Sequence, residues 1–212
     1  MPRERKDYSG TDDSKRAAIL NAAMAEFING YEKASTDAIV KAAGVSKGLL
    51  FHYFGSKKEL FLYAYEYAMQ AVVKEFYDLI NFNNRDVLAR MKQILLLKLD
   101  LMHKHPMIFD FIVRASIPDH AEITENIRAF QNKLENDLSP RVFYDIDRSL
   151  FREDINIDAA IQVIIYTMRS YAISEANPNK STVDYYADYD RYLQDLERYI
   201  GLFRTSFYKQ ED

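Results

Sequence analysis

Glycine is distributed very unevenly along this chain of 212 residues, and this constrains the fold more than any other feature. Five of the six glycines lie among the first 55 residues, and only Gly201 follows them. Glycine and proline end helices and form turns. The early part of the chain therefore predicts short helices with tight turns, and the remainder predicts long helices that end near Pro106, Pro118, Pro140 and Pro178. The expected fold class is all-α.

Composition excludes several kinds of protein. The absence of cysteine rules out disulfides, cysteine-zinc sites and thiol nucleophiles. The charged N-terminus does not have the pattern of a secretory signal, and no uninterrupted apolar run is long enough to span a bilayer. We therefore expect a cytoplasmic protein that does not insert into membranes and that uses no cofactor.

Basic charge is concentrated in one short segment, although the chain as a whole has a formal net charge of −4 at pH 7. Four lysines and no acidic residue lie between Lys41 and Lys58, counting both ends. A local basic patch on an acidic protein can bind a polyanion at that place alone. An ordinary solvated helix face would carry the same charges, so the patch by itself leaves both interpretations open.

Residues 14–56 have the pattern of a helix-turn-helix domain. Helices are predicted over about residues 14–29, 36–43 and 46–53. Between the second and third helices, Gly44 permits the positive φ of a sharp turn, and Ser46 can cap the helix that follows. The cap leaves the N-terminal end of the third helix facing outward, where its amides favour a phosphate.

The segment FINGYEKASTDAIVKAAGVSKGLLFHYFGSKKELF closely resembles the N-terminal signature of the TetR family of transcriptional regulators. The resemblance covers about residues 14–61 and includes Gly30, Tyr31, Ala43–Ser46 and His52–Phe54. It implies an N-terminal helix-turn-helix domain and a C-terminal helical bundle for ligand binding and dimerisation. It further implies a regulator, expected to be a repressor, that binds a palindromic operator as a homodimer and is released by a small apolar or amphipathic ligand.

By the same resemblance, the third helix enters the major groove of double-stranded DNA. The residues expected to contact DNA are Thr36, Ser46, Lys47, Gly48, Leu49, Phe51, His52, Tyr53 and Lys57. Two positions depart from the family pattern. Phe51 stands where the family usually has a tyrosine whose hydroxyl binds a phosphate, and Leu49 replaces a threonine or serine. At both positions an apolar contact takes the place of a polar one.

The resemblance and the apolar periodicity divide the chain into three parts. We predict a flexible arm over residues 1–13, the DNA-binding domain over 14–56, and a ligand-binding and dimerisation domain over 57–212. Two helices near the C-terminus each carry a stripe of apolar residues, and together these stripes favour dimerisation. One such stripe alone would more often belong to the core of its own subunit. The predicted interface residues are Ile157, Ile161, Ile164, Tyr189, Leu193, Leu196, Ile200 and Phe203. The predicted ligand contacts are Tyr65, Met69, Met102, Phe109, Phe130, Tyr166 and Met168.

An enzyme and an interaction module are the competing classes. His103 and His105 are two residues apart, a spacing that points them to different faces of a helix, and the sequence has no phosphate-binding glycine loop. We therefore expect no catalytic residue and no metal site. The alternative function is a dimeric helical interaction module without sequence-specific DNA binding. Equal, weak affinity for all duplexes would favour that module, and a large specificity ratio would favour the regulator.

Overall fold

The chain folds into α-helices joined by turns in a computed structural model that describes residues 11–117, 120–174 and 181–210. The helices are α1 (Thr11–Phe27), α2 (Thr36–Ala43), α3 (Lys47–Phe54), α4 (Lys57–Leu79), α5 (Val87–Lys104), α6 (Pro106–Ala115), α7 (Ala121–Val142), α8 (Ile157–Ser174), α9 (Thr182–Ala187) and α10 (Tyr189–Phe207). The predicted all-α class is therefore confirmed. Among the described helices, none combines the length and the apolar character that crossing a membrane requires.

The first helix begins earlier than the sequence analysis predicts. It starts at Thr11, three residues before Ser14, so residues 11–13 of the predicted arm are helical. Asp13 lies in the first turn of this longer helix, and acidic residues at that place interact favourably with the helix dipole. Residues 1–10 of the predicted arm lie outside the described residues.

Two compact units can be distinguished by their internal contacts. The first consists of the residues up to Gln70 together with Asp110–Phe130. The second consists of Ala71–Phe109 and the residues from Gln131 onward. The predicted boundary between residues 56 and 57 does not coincide with this division, because the first part of α4 and the segment 110–130 share a core with the three N-terminal helices.

Aromatic rings form much of the core of the first unit. Phe61 of α4 packs edge-on against Phe27 of α1, with ring centroids 4.9 Å apart, and against Phe111 of α6 at 5.7 Å. Tyr31, in the turn after α1, also meets Phe61 edge-on at 5.2 Å. All four rings are buried, and edge-to-face pairs of this kind stabilise beyond the burial of their area. The turn after α1 is thereby fixed against α4 and α6.

The apolar stripes of α8 and α10 pack largely inside the second unit. Ile164 of α8 and Leu196, Ile200 and Phe203 of α10 are buried in one cluster with Val87 of α5. These four residues were predicted to form the dimer interface, but their own chain already removes them from water. They can therefore add little apolar area to a contact between chains. The remaining predicted interface residues are half-buried: Ile157, Ile161, Tyr189 and Leu193.

A buried arginine joins two loops of the second unit. The side chain of Arg90 is almost fully buried and donates hydrogen bonds to four backbone carbonyls. Its acceptors are Asn84 at 2.6 and 3.0 Å, Val142 at 2.8 Å, Tyr144 at 3.0 Å and Phe82 at 3.2 Å. These carbonyls satisfy the guanidinium, which would otherwise be very costly to bury. The bonds tie the segment between α4 and α5 to the end of α7.

We predict that Arg90→Met destabilises the protein by about 3 kcal/mol or more, because four buried or half-buried carbonyls lose their donor. Denaturation in urea, followed by circular dichroism, measures the loss. Arg148→Met is the matched control, since Arg148 is exposed and its guanidinium forms a surface ion pair with Asp158 at 2.7 Å. Equal destabilisation by the two substitutions would contradict the structural role assigned to Arg90.

Candidate nucleic-acid interface

A left-handed turn separates α2 from α3. Gly44 has φ 66° and ψ 32°, a conformation that side chains disfavour. The amide of the next residue, Val45, donates back to the carbonyl of Val40 at 3.1 Å and closes the end of α2. Ser46 then accepts a hydrogen bond from the amide of Leu49 at 3.2 Å and caps the start of α3. The predicted glycine turn and serine cap are both present.

The second helix is fixed to the first in a similar way. Ser35 caps α2 by accepting a hydrogen bond from the amide of Ala38 at 3.3 Å. The amide of Ser35 donates to the carboxylate of Glu26 at 3.0 Å. Because Glu26 belongs to α1, this bond anchors the start of α2, where the half-buried Thr36 lies.

The two sides of α3 differ in burial. Leu50 and Phe54, four residues apart, are buried and attach the helix to the domain. The predicted DNA contacts on the remaining surface are exposed at Ser46, Lys47, Gly48 and His52, and half-buried at Leu49, Phe51 and Tyr53. The N-terminal end of α3 is thus open on the first unit.

Both lysines predicted to contact DNA have partners within the chain. Lys47 pairs with Asp37 of α2 at 2.8 Å, and both side chains are largely exposed. Lys57 donates to the carbonyl of Glu32 at 3.2 Å, and its ammonium nitrogen lies 4.9 Å from the centroid of the Tyr31 ring. Exposed pairs of this kind contribute little stability, so a phosphate can replace or share these partners at small cost.

The glycine at position 48 is not required by the packing of the subunit. A β-carbon built there would lie no closer than 4.0 Å to any neighbouring atom, the nearest being the Ser46 hydroxyl. Its backbone does not have the positive φ that would demand glycine. Glycine within a helix is less favourable than alanine by about 1 kcal/mol. Neither the packing nor the backbone conformation of the subunit therefore requires glycine at position 48.

The predicted ligand contacts are dispersed. In the first unit, the rings of Tyr65 and Phe130 meet edge-on at 5.8 Å, and Met69 is half-buried. In the second unit, Met102 and Phe109 share one apolar cluster, Met168 lies in another, and Tyr166 is 64% exposed.

Two cavities of the second unit are lined by other residues. A groove of about 460 Å³ is lined by Tyr77, Phe82, Pro140 and Tyr144. A larger cavity of about 610 Å³ lies between the end of α7 and the start of α8 and also borders Pro140. None of the seven predicted ligand contacts lines either cavity. The sequence signal that could have found the groove is the cluster of aromatic residues near the ends of α4 and α7.

Sequence reasoning also missed the neighbours of Lys57. His120 immediately precedes α7, and its carbonyl accepts hydrogen bonds from the amides of Ile123 and Thr124 at 3.2 Å. Its Nε2 atom also lies 2.9 Å from the carboxylate of Glu32. No local pattern links positions 32 and 120, so only the fold brings them together.

Comparison with known proteins identifies this arrangement. Residues 19–64, which include α2, α3 and the turn between them, match the family model described as "Bacterial regulatory proteins, tetR family". The N-terminal part of the chain matches the tetR family. The chain is a DNA-binding transcriptional regulator, as the sequence resemblance predicted.

Three known proteins resemble this chain over most of its length. The transcriptional repressor NicS of Pseudomonas putida is 24% identical over 155 residues, which are 72% of this chain and 73% of NicS. The tetR regulator TylP of Streptomyces fradiae has a TM-score of 0.56 at 21% identity, over 94% of this chain and 89% of TylP. A TetR family transcriptional regulator from Chloroflexus aurantiacus has a TM-score of 0.55 at 18% identity, over 93% of this chain and 95% of the regulator. The structural likeness supports the tetR fold.

We predict that Gly48→Ala changes protein stability and DNA affinity in opposite directions. The substitution should stabilise the free protein by up to about 1 kcal/mol, because alanine favours the helix and nothing obstructs its methyl group. It should weaken DNA binding, because the methyl group then meets the duplex. Urea denaturation and fluorescence anisotropy with a labelled operator duplex measure the two effects. Unchanged affinity would show that the groove does not approach Gly48.

Proposed function

We propose that the chain is a dimeric repressor that acts in the cytoplasm and reads a palindromic operator. The observation that carries this proposal is the open N-terminal end of α3, on a helix whose opposite side is anchored by Leu50 and Phe54. NicS, a relative over most of the chain, is named a transcriptional repressor, which supports repression rather than activation.

Each predicted DNA contact has a separate role in this proposal. Thr36 and Lys57 bind phosphates on either side of the reading helix, and His52 and Tyr53 reach phosphate or base edges. Lys47 donates to a guanine edge or to a phosphate. Leu49 meets a thymine methyl group, and the ring of Phe51 packs against the backbone without a hydrogen bond. Phosphate contacts orient the protein, and base contacts choose the sequence.

The dimer contact is proposed on the outward faces of α8 and α10. On α8, beyond the exposed Asp158 in its first turn, five exposed positions at helical spacing carry no charge: Ala159, Gln162, Val163, Tyr166 and Ser170. On α10 the corresponding face contains Gln194, Arg198, Gly201, Leu202 and Thr205. Val163, Tyr166 and Leu202 are 46%, 64% and 60% exposed, so burying them against a second copy would remove apolar area from water.

Gly201 supports this choice of surface. A β-carbon at Gly201 would have no neighbour within 4 Å, so the glycine leaves open space on α10 beside Leu202. Small residues on a helix surface allow a second helix to approach closely. Two copies related by a two-fold axis would present their reading helices to half-sites about 34–36 Å apart.

The effector is proposed to be a small apolar or amphipathic compound that binds in the second unit. The two cavities there, of about 460 and 610 Å³, have the volumes of small-molecule sites. The aromatic and proline lining of the smaller one suits an apolar ligand, and its tyrosines supply polar groups. Ligand binding would shift the population of the dimer toward a conformation that the operator does not accept.

We predict that Leu202→Asp converts the dimer to a monomer and lowers affinity for a palindromic duplex at least tenfold, since a charge would then be buried at the contact. Analytical ultracentrifugation gives the mass, and anisotropy titration gives the affinity. Leu79→Asp, which alters an exposed leucine at the end of α4, should leave both unchanged. A dimeric Leu202→Asp protein would refute this contact surface.

We predict that Tyr144→Ala impairs the response to an effector without affecting DNA binding. Tyr144 is 78% exposed, so its ring can be removed at little cost to the fold. Compounds that release labelled duplex from the native protein are first found by screening, and their dose response is then compared between the two proteins. Identical dose responses would place the effector elsewhere than the aromatic groove.

A further inference from the structure

The turn after α1 holds the lysine that the proposed function assigns to a DNA phosphate. The carbonyl of Glu32 accepts a hydrogen bond from Lys57 at 3.2 Å, and the Tyr31 ring lies beneath the ammonium group at 4.9 Å. A lysine ammonium has three donors, and the carbonyl uses one of them. Lys57 is thus held in place while it keeps donors for a phosphate.

The same turn is held from its other side by a histidine outside the helix-turn-helix. The Nε2 atom of His120 lies 2.9 Å from the Glu32 carboxylate, and its ring centroid lies 5.3 Å from that of Tyr31. His120 is one-third exposed, whereas Tyr31 is buried against Phe61. Two neighbouring residues, Tyr31 and Glu32, therefore contact both Lys57 and His120.

We propose that His120 is a positioning residue for DNA binding, which acts by fixing Tyr31 and Glu32 and through them the ammonium group of Lys57. This inference rests on the proposed function, in which Lys57 binds a phosphate. Without His120, the turn loses the hydrogen bond on its outer side. The Glu32 carboxylate also loses its donor and becomes an unpaired negative charge next to the lysine that meets the DNA.

The position of His120 also connects this site with α7. The His120 carbonyl accepts from the Thr124 amide at 3.2 Å and from the Thr124 hydroxyl at 2.9 Å, so His120 is bonded to the first turn of α7. That helix contributes its first ten residues to the first unit and the remainder, up to Val142, to the second. A displacement of the first turn of α7 would therefore act directly on Glu32 and Lys57.

The test is a double-mutant cycle between His120 and Lys57, measured as the affinity of the full-length protein for one operator duplex at two salt concentrations. His120→Ala should weaken binding about three- to tenfold, the effect of losing one hydrogen bond. Lys57→Ala should weaken binding and reduce the salt slope by about one. In the Lys57→Ala protein, His120→Ala should have almost no further effect, because the group that it positions is absent.

Two additional variants distinguish positioning from a general loss of structure. His120→Gln retains a side-chain donor for Glu32 and should restore most of the affinity, and His103→Ala, at an exposed histidine of α5, should match the native protein. The inference is overturned if His120→Ala leaves affinity unchanged, or if it weakens binding equally with and without Lys57. A native protein that binds no duplex at all would instead refute the proposed function.

Discussion

The left-handed backbone of Gly44 is the constraint on which the position of the reading helix depends. It reverses the chain within three residues, so that α3 begins at Lys47 with its first turn outward. The cap by Ser46 and the burial of Leu50 and Phe54 then fix the direction and rotation of the helix. A side chain at position 44 would strain the turn and displace α3, with the residues of that helix that are proposed to meet DNA.

Local features of this fold could be predicted because their physical causes are adjacent in sequence. The turn at Gly44 and the caps at Ser35 and Ser46 each involve residues within a few positions of one another. The start of α6 at Pro106 likewise follows from the fixed φ of proline at a first helical position. Some helix ends were predicted wrongly by a few residues, as at the start of α1.

Features made by distant residues could not be predicted. Arg90 bonds carbonyls 52 and 54 residues away, and no property of the local sequence marks it as buried. The stripes on α8 and α10 were correctly recognised as apolar, but periodicity does not say whether α5 or a second chain covers them. The contact between Glu32 and His120 likewise joins residues that are far apart in the sequence.

The central claim is that α3 reads a specific sequence of duplex DNA. Genomic fragments bound by the native protein are selected, and anisotropy titrations then compare one selected duplex with a scrambled duplex of the same composition at two salt concentrations. The account predicts that the selected duplex binds about a thousandfold more tightly or better. Equal affinity for the two duplexes, with the same dependence on salt, would contradict it.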